Sequence, residues 1–149
     1  MTPLLIVTLV SHILLGIAAI GLAHLVLMQL LRKETAWGWT IGIASWSVFL
    51  FFASWATSAY YYVVYYGSSV KPVIKAGNYA WAHTIFMEGK EHVFLIIPFL
   101  ALTVTLALHV LKKNPDPRLK FAVTLLASTL VILGLFVAIS GIIVSGAAQ

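Results

Sequence analysis

Residues 83–108 read HTIFMEGKEHVFLIIPFLALTVTLAL, and the change of character at His92 decides the fold. Up to that point the stretch gathers two histidines, two glutamates, a methionine and a lysine. Beyond it the chain carries no charge until Lys112. A helix over residues 91–111, which extra turns starting near Tyr79 can precede, is long enough to cross the bilayer, because about 20 apolar residues span roughly 30 Å of hydrocarbon.

Three more runs of the same kind flank it. The spacing of apolar residues predicts helical spans over about 3–31, 37–66 and 119–145, with Pro3 suited to a helix start and Arg32–Lys33 ending the first span. The chain has 149 residues, 62% hydrophobic and only 9% charged, and its mean hydropathy is +1.04. Soluble domains carry about 25% charged residues. The composition therefore argues for one integral membrane domain, an all-α antiparallel bundle of four helices, and not for a water-soluble fold. Residues 1–31 lack the positive start and short apolar core of a secretory signal, so the first helix is expected to be retained.

The absence of cysteine excludes disulfides, thiolate metal sites and c-type haem attachment. The net charge of +5 resides in short loops beside the spans, where it sets topology; no nucleic-acid role is expected. Arg32 and Lys33 follow span one, and Lys112, Lys113, Arg118 and Lys120 surround the turn after span three. The positive-inside rule puts both loops in the cytoplasm and both termini on the non-cytoplasmic side, with Lys71, Lys75 and Lys90 a weaker opposing group. Tyr60, Tyr61, Tyr62, Tyr65, Tyr66, Tyr79 and Trp81 then form an outer aromatic belt, Trp37 and Trp39 an inner one. A prokaryotic inner (cytoplasmic) membrane suits this pattern.

Ionisable side chains at membrane depth are functional candidates. His12 and His92 are expected in the outer half of the bilayer, His24 and His109 in the inner half. Each pair comes from spans one and three. Two such pairs are what one or two bis-imidazole haems b would need, since a b-type haem is held only by axial ligands and packing. Small residues at Gly16, Ala19 and Ala23, on the stripe of His12, admit either a flat macrocycle or a neighbouring helix. Against this, His12 and His24 differ by about 120° around an ideal helix, and His92 and His109 by about 100°. Pro98 lies between the latter two and could kink the span. The competing reading makes all four histidines structural, each hydrogen-bonded to a neighbouring helix.

The cluster before span three has several readings of its own. Glu88 or Glu91 can orient an axial histidine by accepting its other N–H. His83, Glu88, Glu91 and His92 can bind a metal ion, although a bundle-type di-iron site needs paired Glu-x-x-His motifs and the chain has none. An interfacial patch neutralised by Lys90 is the plainest reading. Gly89, costing roughly 1 kcal/mol inside a helix, is a candidate break there. Finally, a carboxylate beside a histidine under a roof of tyrosines can take protons from a quinol.

The stretch HVFLIIPFLALTVTLAL, the basic hairpin KKNPDPRLK, VAISGIIVS in the last span and the tyrosine-rich YYYVVYYGSS together resemble a family of small four-helix membrane proteins linked to haem–copper oxidase assembly. The resemblance covers the last 60 to 90 residues or so and implies His92 as a haem or metal contact. The GKEH context and the His12/His24 pair lie outside that pattern. The layout is also similar to four-helix b-type cytochromes. The expected function is a b-type haem electron-transfer protein, or a cytochrome subunit of a respiratory complex, linked to quinol at the outer face. The alternatives are a cofactor-free accessory or assembly subunit of a respiratory or photosynthetic complex, and a small metal-ion or proton carrier.

Overall fold

A computed structural model describes residues 1–148. Helix α1 spans Pro3–Leu31, α2 Trp37–Tyr61, α3 Lys71–Ala76, α4 Glu88–Lys113 and α5 Pro117–Gly146. Two π-helical segments, Tyr62–Val70 and Ala82–Met87, join α2 to α3 and lead into α4. Among the described residues there is no strand. The helices merge into four rods, Pro3–Leu31, Trp37–Ala76, Ala82–Lys113 and Pro117–Gly146, all long and apolar enough to cross a membrane.

Local chemistry sets the ends. Thr2 Oγ1 accepts from the Leu5 amide at 3.4 Å, and Asp116 Oδ1 accepts from the Arg118 amide at 2.8 Å. Each cap is followed by a proline whose missing N–H costs nothing in the first turn. Pro72 has the opposite effect on what precedes it. Its ring would crowd the carbonyl four residues back, and the chain there widens into π geometry, with the Lys71 amide bonding to the Tyr66 carbonyl.

The rods pack as a ring in which α1 touches α2, α2 touches α4, α4 touches α5 and α5 returns to α1. Lys120 Nζ donates to the Arg32 carbonyl at 2.8 Å, so the two basic connections share one end, as the antiparallel reading requires. The bundle is apolar outside and small or weakly polar within. Leu14, Ile17, Trp46, Phe49, Phe99, Leu106 and Ile142 face outward, whereas Ala19, Ala23, Thr40, Ala44, Ser47 and Ser54 are buried. That inversion suits helices in lipid, where close approach and hydrogen bonds replace the hydrophobic drive. The small stripe of α1 resolves as a helix–helix seam: Ser47 Oγ of α2 donates to the Ala19 carbonyl at 2.9 Å, and a side chain at Gly16 would lie 3.3 Å from Ser54 Oγ.

Two boundaries differ from the sequence reading. Helix continues past Tyr66 to Ala76, beyond the expected end of span two, and resumes at Ala80, in line with the reading that extra turns starting near Tyr79 precede span three. The Gly77 amide reaches the Val73 carbonyl at 3.1 Å and ends α3; a Cβ at Gly77 would sit 3.3 Å from that oxygen. Gly89 does not break the chain but lies within α4, in ordinary reach of Phe136. The rod Trp37–Ala76 has 40 residues, roughly 60 Å at 1.5 Å per residue, about twice the hydrocarbon thickness. Its upper part, the turn and Ala82–Met87 form a separate apolar cluster built on Tyr66, Ile74, Ala82, Met87 and Val144.

Candidate functional site

Between α1, α4 and α5, at the end away from the basic turns, lies a cavity of about 560 Å³. It exists because α5 presents Gly134, Ala138, Gly141 and Ser145 on one stripe, vacating the volume that larger side chains fill lower in the bundle. Its walls are mostly apolar, from Ile13, Ile17, Phe94 and Val137, and its polar members include His12 and Lys90. Ligand sites commonly have this size and this makeup.

The His12 ring is oriented by α2. Ser54 Oγ donates its proton to the His12 carbonyl at 3.1 Å. The 2.9 Å contact between His12 Nδ1 and Ser54 Oγ therefore runs from ring N–H to hydroxyl, shared with the Ser54 carbonyl at 3.1 Å. With the proton on Nδ1, the neutral ring keeps its lone pair on Nε2. Phe94 meets the ring edge-on at 5.6 Å between centroids. Lys90 supplies the complementary group, a donor. A side chain at Gly141 would come within 3.2 Å of its Nζ, so the bare backbone of α5 makes room for the ammonium. Among the described residues the Lys90 ammonium makes no hydrogen bond or ion pair within 4 Å. An unpaired cation in an apolar cavity is costly.

A second polar group sits beyond Lys90, under the tyrosines. Tyr66 Oη and His83 Nδ1 are 2.9 Å apart and fully enclosed. His83 Nε2 has no partner and lies 3.9 Å from Glu88 Oε1, which is exposed. Glu91 turns inward, and its Oε1 is buried without a partner. Tyr62 stacks on Tyr66 with ring centroids 5.4 Å apart. Each orphaned buried atom costs about 1–3 kcal/mol, and such exceptions call for a reason.

The expected haem pairs do not form. Of His12, His24, His92 and His109, only His12 lines the large cavity; the other three are exposed on the outer surface. His92 Nδ1 donates to the Glu88 carbonyl at 2.7 Å and His109 Nδ1 to the Thr105 carbonyl at 2.9 Å, each one turn back on its own helix. The reason is angular. The buried stripe of α4 runs through Ile97, Ala101, Val104, Leu108 and Leu111; His109 is about 100° away from it and His92 about 140°. Pro98 stays inside a continuous helix and does not bring them together. A six-coordinate haem needs two imidazoles on one gap, and within this chain the residues do not fit it. The proposed metal quartet is not assembled either. His83 and Glu88 approach each other, Glu91 turns inward and His92 outward, and among the described residues no three of His, Asp or Glu converge on a cation position.

Sequence reading singled out His12, His83, Glu88 and Glu91 but missed Ser54, Lys90 as a cavity group, and the Tyr66–His83 bond. Two patterns carried the missing information: small or hydroxyl residues at Thr40, Ser47 and Ser54 every seven positions in α2, and the small stripe of α5. Comparison with protein-family models, curated proteins and solved structures gives no match to the chain.

Proposed function

We propose that the protein is a membrane subunit of a larger redox assembly that binds a lipid-soluble quinone in the His12–Lys90 cavity. One observation carries the reading: His12, whose Nε2 is left as an acceptor, and Lys90, a donor, both line one largely apolar cavity. A quinol offers a hydroxyl to the first and an oxygen to the second, and its isoprenoid tail follows the apolar wall toward lipid. When a quinol is oxidised there, its two O–H bonds break. His12 Nε2 takes one proton, a nearby carboxylate the other, and two electrons pass singly to a one-electron redox centre of a partner subunit. The membrane is the prokaryotic inner membrane, with both termini and the tyrosine-rich end outside, because the basic turns hold the cytoplasmic side.

Binding of decylubiquinone to the purified chain, followed by quenching of tryptophan fluorescence, tests the reading. Saturable binding that weakens about tenfold or more in His12→Ala and Lys90→Met supports it, since hydrogen bonds to charged groups contribute about 1.5–3 kcal/mol. Binding indifferent to both changes, or absent, overturns it.

A second reading rests on His24, His92 and His109. Imidazoles facing lipid are unfavourable unless covered, so these positions favour an accessory subunit whose outer face lies against a partner. Haem b enters this reading only at such a boundary.

A further inference from the structure

The two orphaned atoms beyond Lys90 are explained together. We propose that Glu91, Tyr62, Tyr66, His83 and Glu88 form a proton relay between the His12–Lys90 cavity and water at the tyrosine-rich end. It rests on the quinone reading of that cavity and adds the route by which its protons leave or enter.

The order of the groups follows from what each can donate. Glu91 adjoins Lys90 in the chain, and its charge acts on Lys90 on one side and on Tyr62, Tyr66 and His83 on the other. It is the carboxylate that a proton leaving the Lys90 end of the cavity meets. Tyr62 lies ring to ring on Tyr66 at 5.4 Å, and the buried, unpartnered Glu91 Oε1 acts electrostatically on both phenols. Tyr66 is bonded to His83 Nδ1 at 2.9 Å. The far nitrogen of the same ring faces Glu88 Oε1 at 3.9 Å, and a rotation of that exposed carboxylate closes the gap.

Outward passage takes these contacts in order, and uptake uses the same contacts in reverse. With the His83 proton on Nε2 toward Glu88, Nδ1 is the acceptor and Tyr66 the donor. In the proposed passage, protonated Glu91 gives its proton to the Tyr66 oxygen across a gap that a water must bridge. Tyr66 O–H gives its own to His83 Nδ1, and His83 Nε2–H gives the last to Glu88, which exchanges with water. One proton enters at Glu91 and one leaves at Glu88; no phenolate or imidazolium remains, and His83 is left as its Nδ1–H tautomer, which a passage in the reverse sense returns to Nε2–H. A network serving only to hold the helices together would close both orphaned atoms. A relay leaves one open at each end, where protons arrive and depart. The π-helical segments supply the register, stacking Tyr62 on Tyr66 and carrying His83 beneath them.

The test uses the full chain in lipid nanodiscs loaded with decylubiquinone, with electrons supplied by an electrode through soluble mediators. Each quinone takes two electrons and two protons to become quinol. Infrared difference spectra read the quinone carbonyl and side-chain carboxyl bands together, and a pH dye follows proton uptake. Loss of the quinone carbonyl is expected with a carboxyl signal that Glu91→Gln removes and an imidazole signal that Tyr66→Phe shifts. Uptake slows by about 10²-fold in Tyr66→Phe and about tenfold in Glu88→Gln; the latter sits at an exposed position where folding is not at stake. Quinone bands without a Glu91 signal, or uptake unchanged in both variants, overturn the relay and leave the quinone site standing. Absence of quinone bands in the parent protein removes the site and the relay with it.

Discussion

The two ends of the bundle are built on different terms. Toward the basic turns, α1, α4 and α5 close over Leu30, Leu108, Leu111, Val123 and Ala127. A gap there, lined by Ala23, Val26, Ala44 and Val104 among others, is about 10 Å³, no more than one water probe fills. Toward the tyrosines the same helices leave about 560 Å³, hold an unpaired ammonium and strand two buried polar atoms, against one, Gln29 Oε1, at the closed end. Dense packing stabilises and polar gaps destabilise. A fold that tolerates the second beside the first concentrates its stability at one end and leaves the other open to the proposed quinone chemistry.

Substitutions of similar size at the two ends break or sharpen this contrast. Leu108→Ala, at the closed end, is expected to cost about 2–5 kcal/mol, read as a lowered thermal midpoint in detergent, whereas Phe94→Ala at the cavity wall leaves that midpoint nearly unchanged. Equal losses would erase the distinction. Next in size, Gly134→Leu places its Cβ within 2.9 Å of Ile20 Cγ1. It should destabilise by about 1–3 kcal/mol through overpacking and also shrink the cavity, so that stability and quinone affinity fall together. Lys90→Met should separate them, because removing an unpaired buried charge raises the thermal midpoint by an amount worth about 1 kcal/mol while quinone binding is lost. A lowered midpoint would mean that the ammonium has a structural partner. Smallest, His109→Leu in the isolated chain should change stability by no more than about 0.5 kcal/mol. If instead the exchange strips a co-purifying subunit or chromophore from native membranes, the accessory reading gains at the expense of the quinone one.

The membrane fold was legible because it depends on amounts. Four apolar runs, two basic turns and two capped prolines give four rods and their antiparallel order without any knowledge of contacts. The site depends on angles, and there the sequence misled. His92 opens an apolar run and reads as a ligand, yet the stripe through Ile97 and Leu108 turns it outward. Lys90 reads as a neutralising surface charge, yet Gly141 on another helix lets it point inward. The Tyr66–His83 bond needs residues in two π-helical segments to meet, a geometry that a period of 3.6 residues does not anticipate. His12, singled out as a polar group at membrane depth, does line the cavity, with its Nδ1 bonded to Ser54 of the neighbouring helix.

The height of the Trp37–Ala76 rod has a practical consequence. With the four rods set across a bilayer, the tip at 77–81 would stand clear of lipid on one side only, where a protease added to sealed vesicles is expected to cut from a single face. That cut would divide the chain into two helical hairpins of comparable mass. Whether the fragments migrate together afterwards measures how firmly the dense end alone clamps the halves.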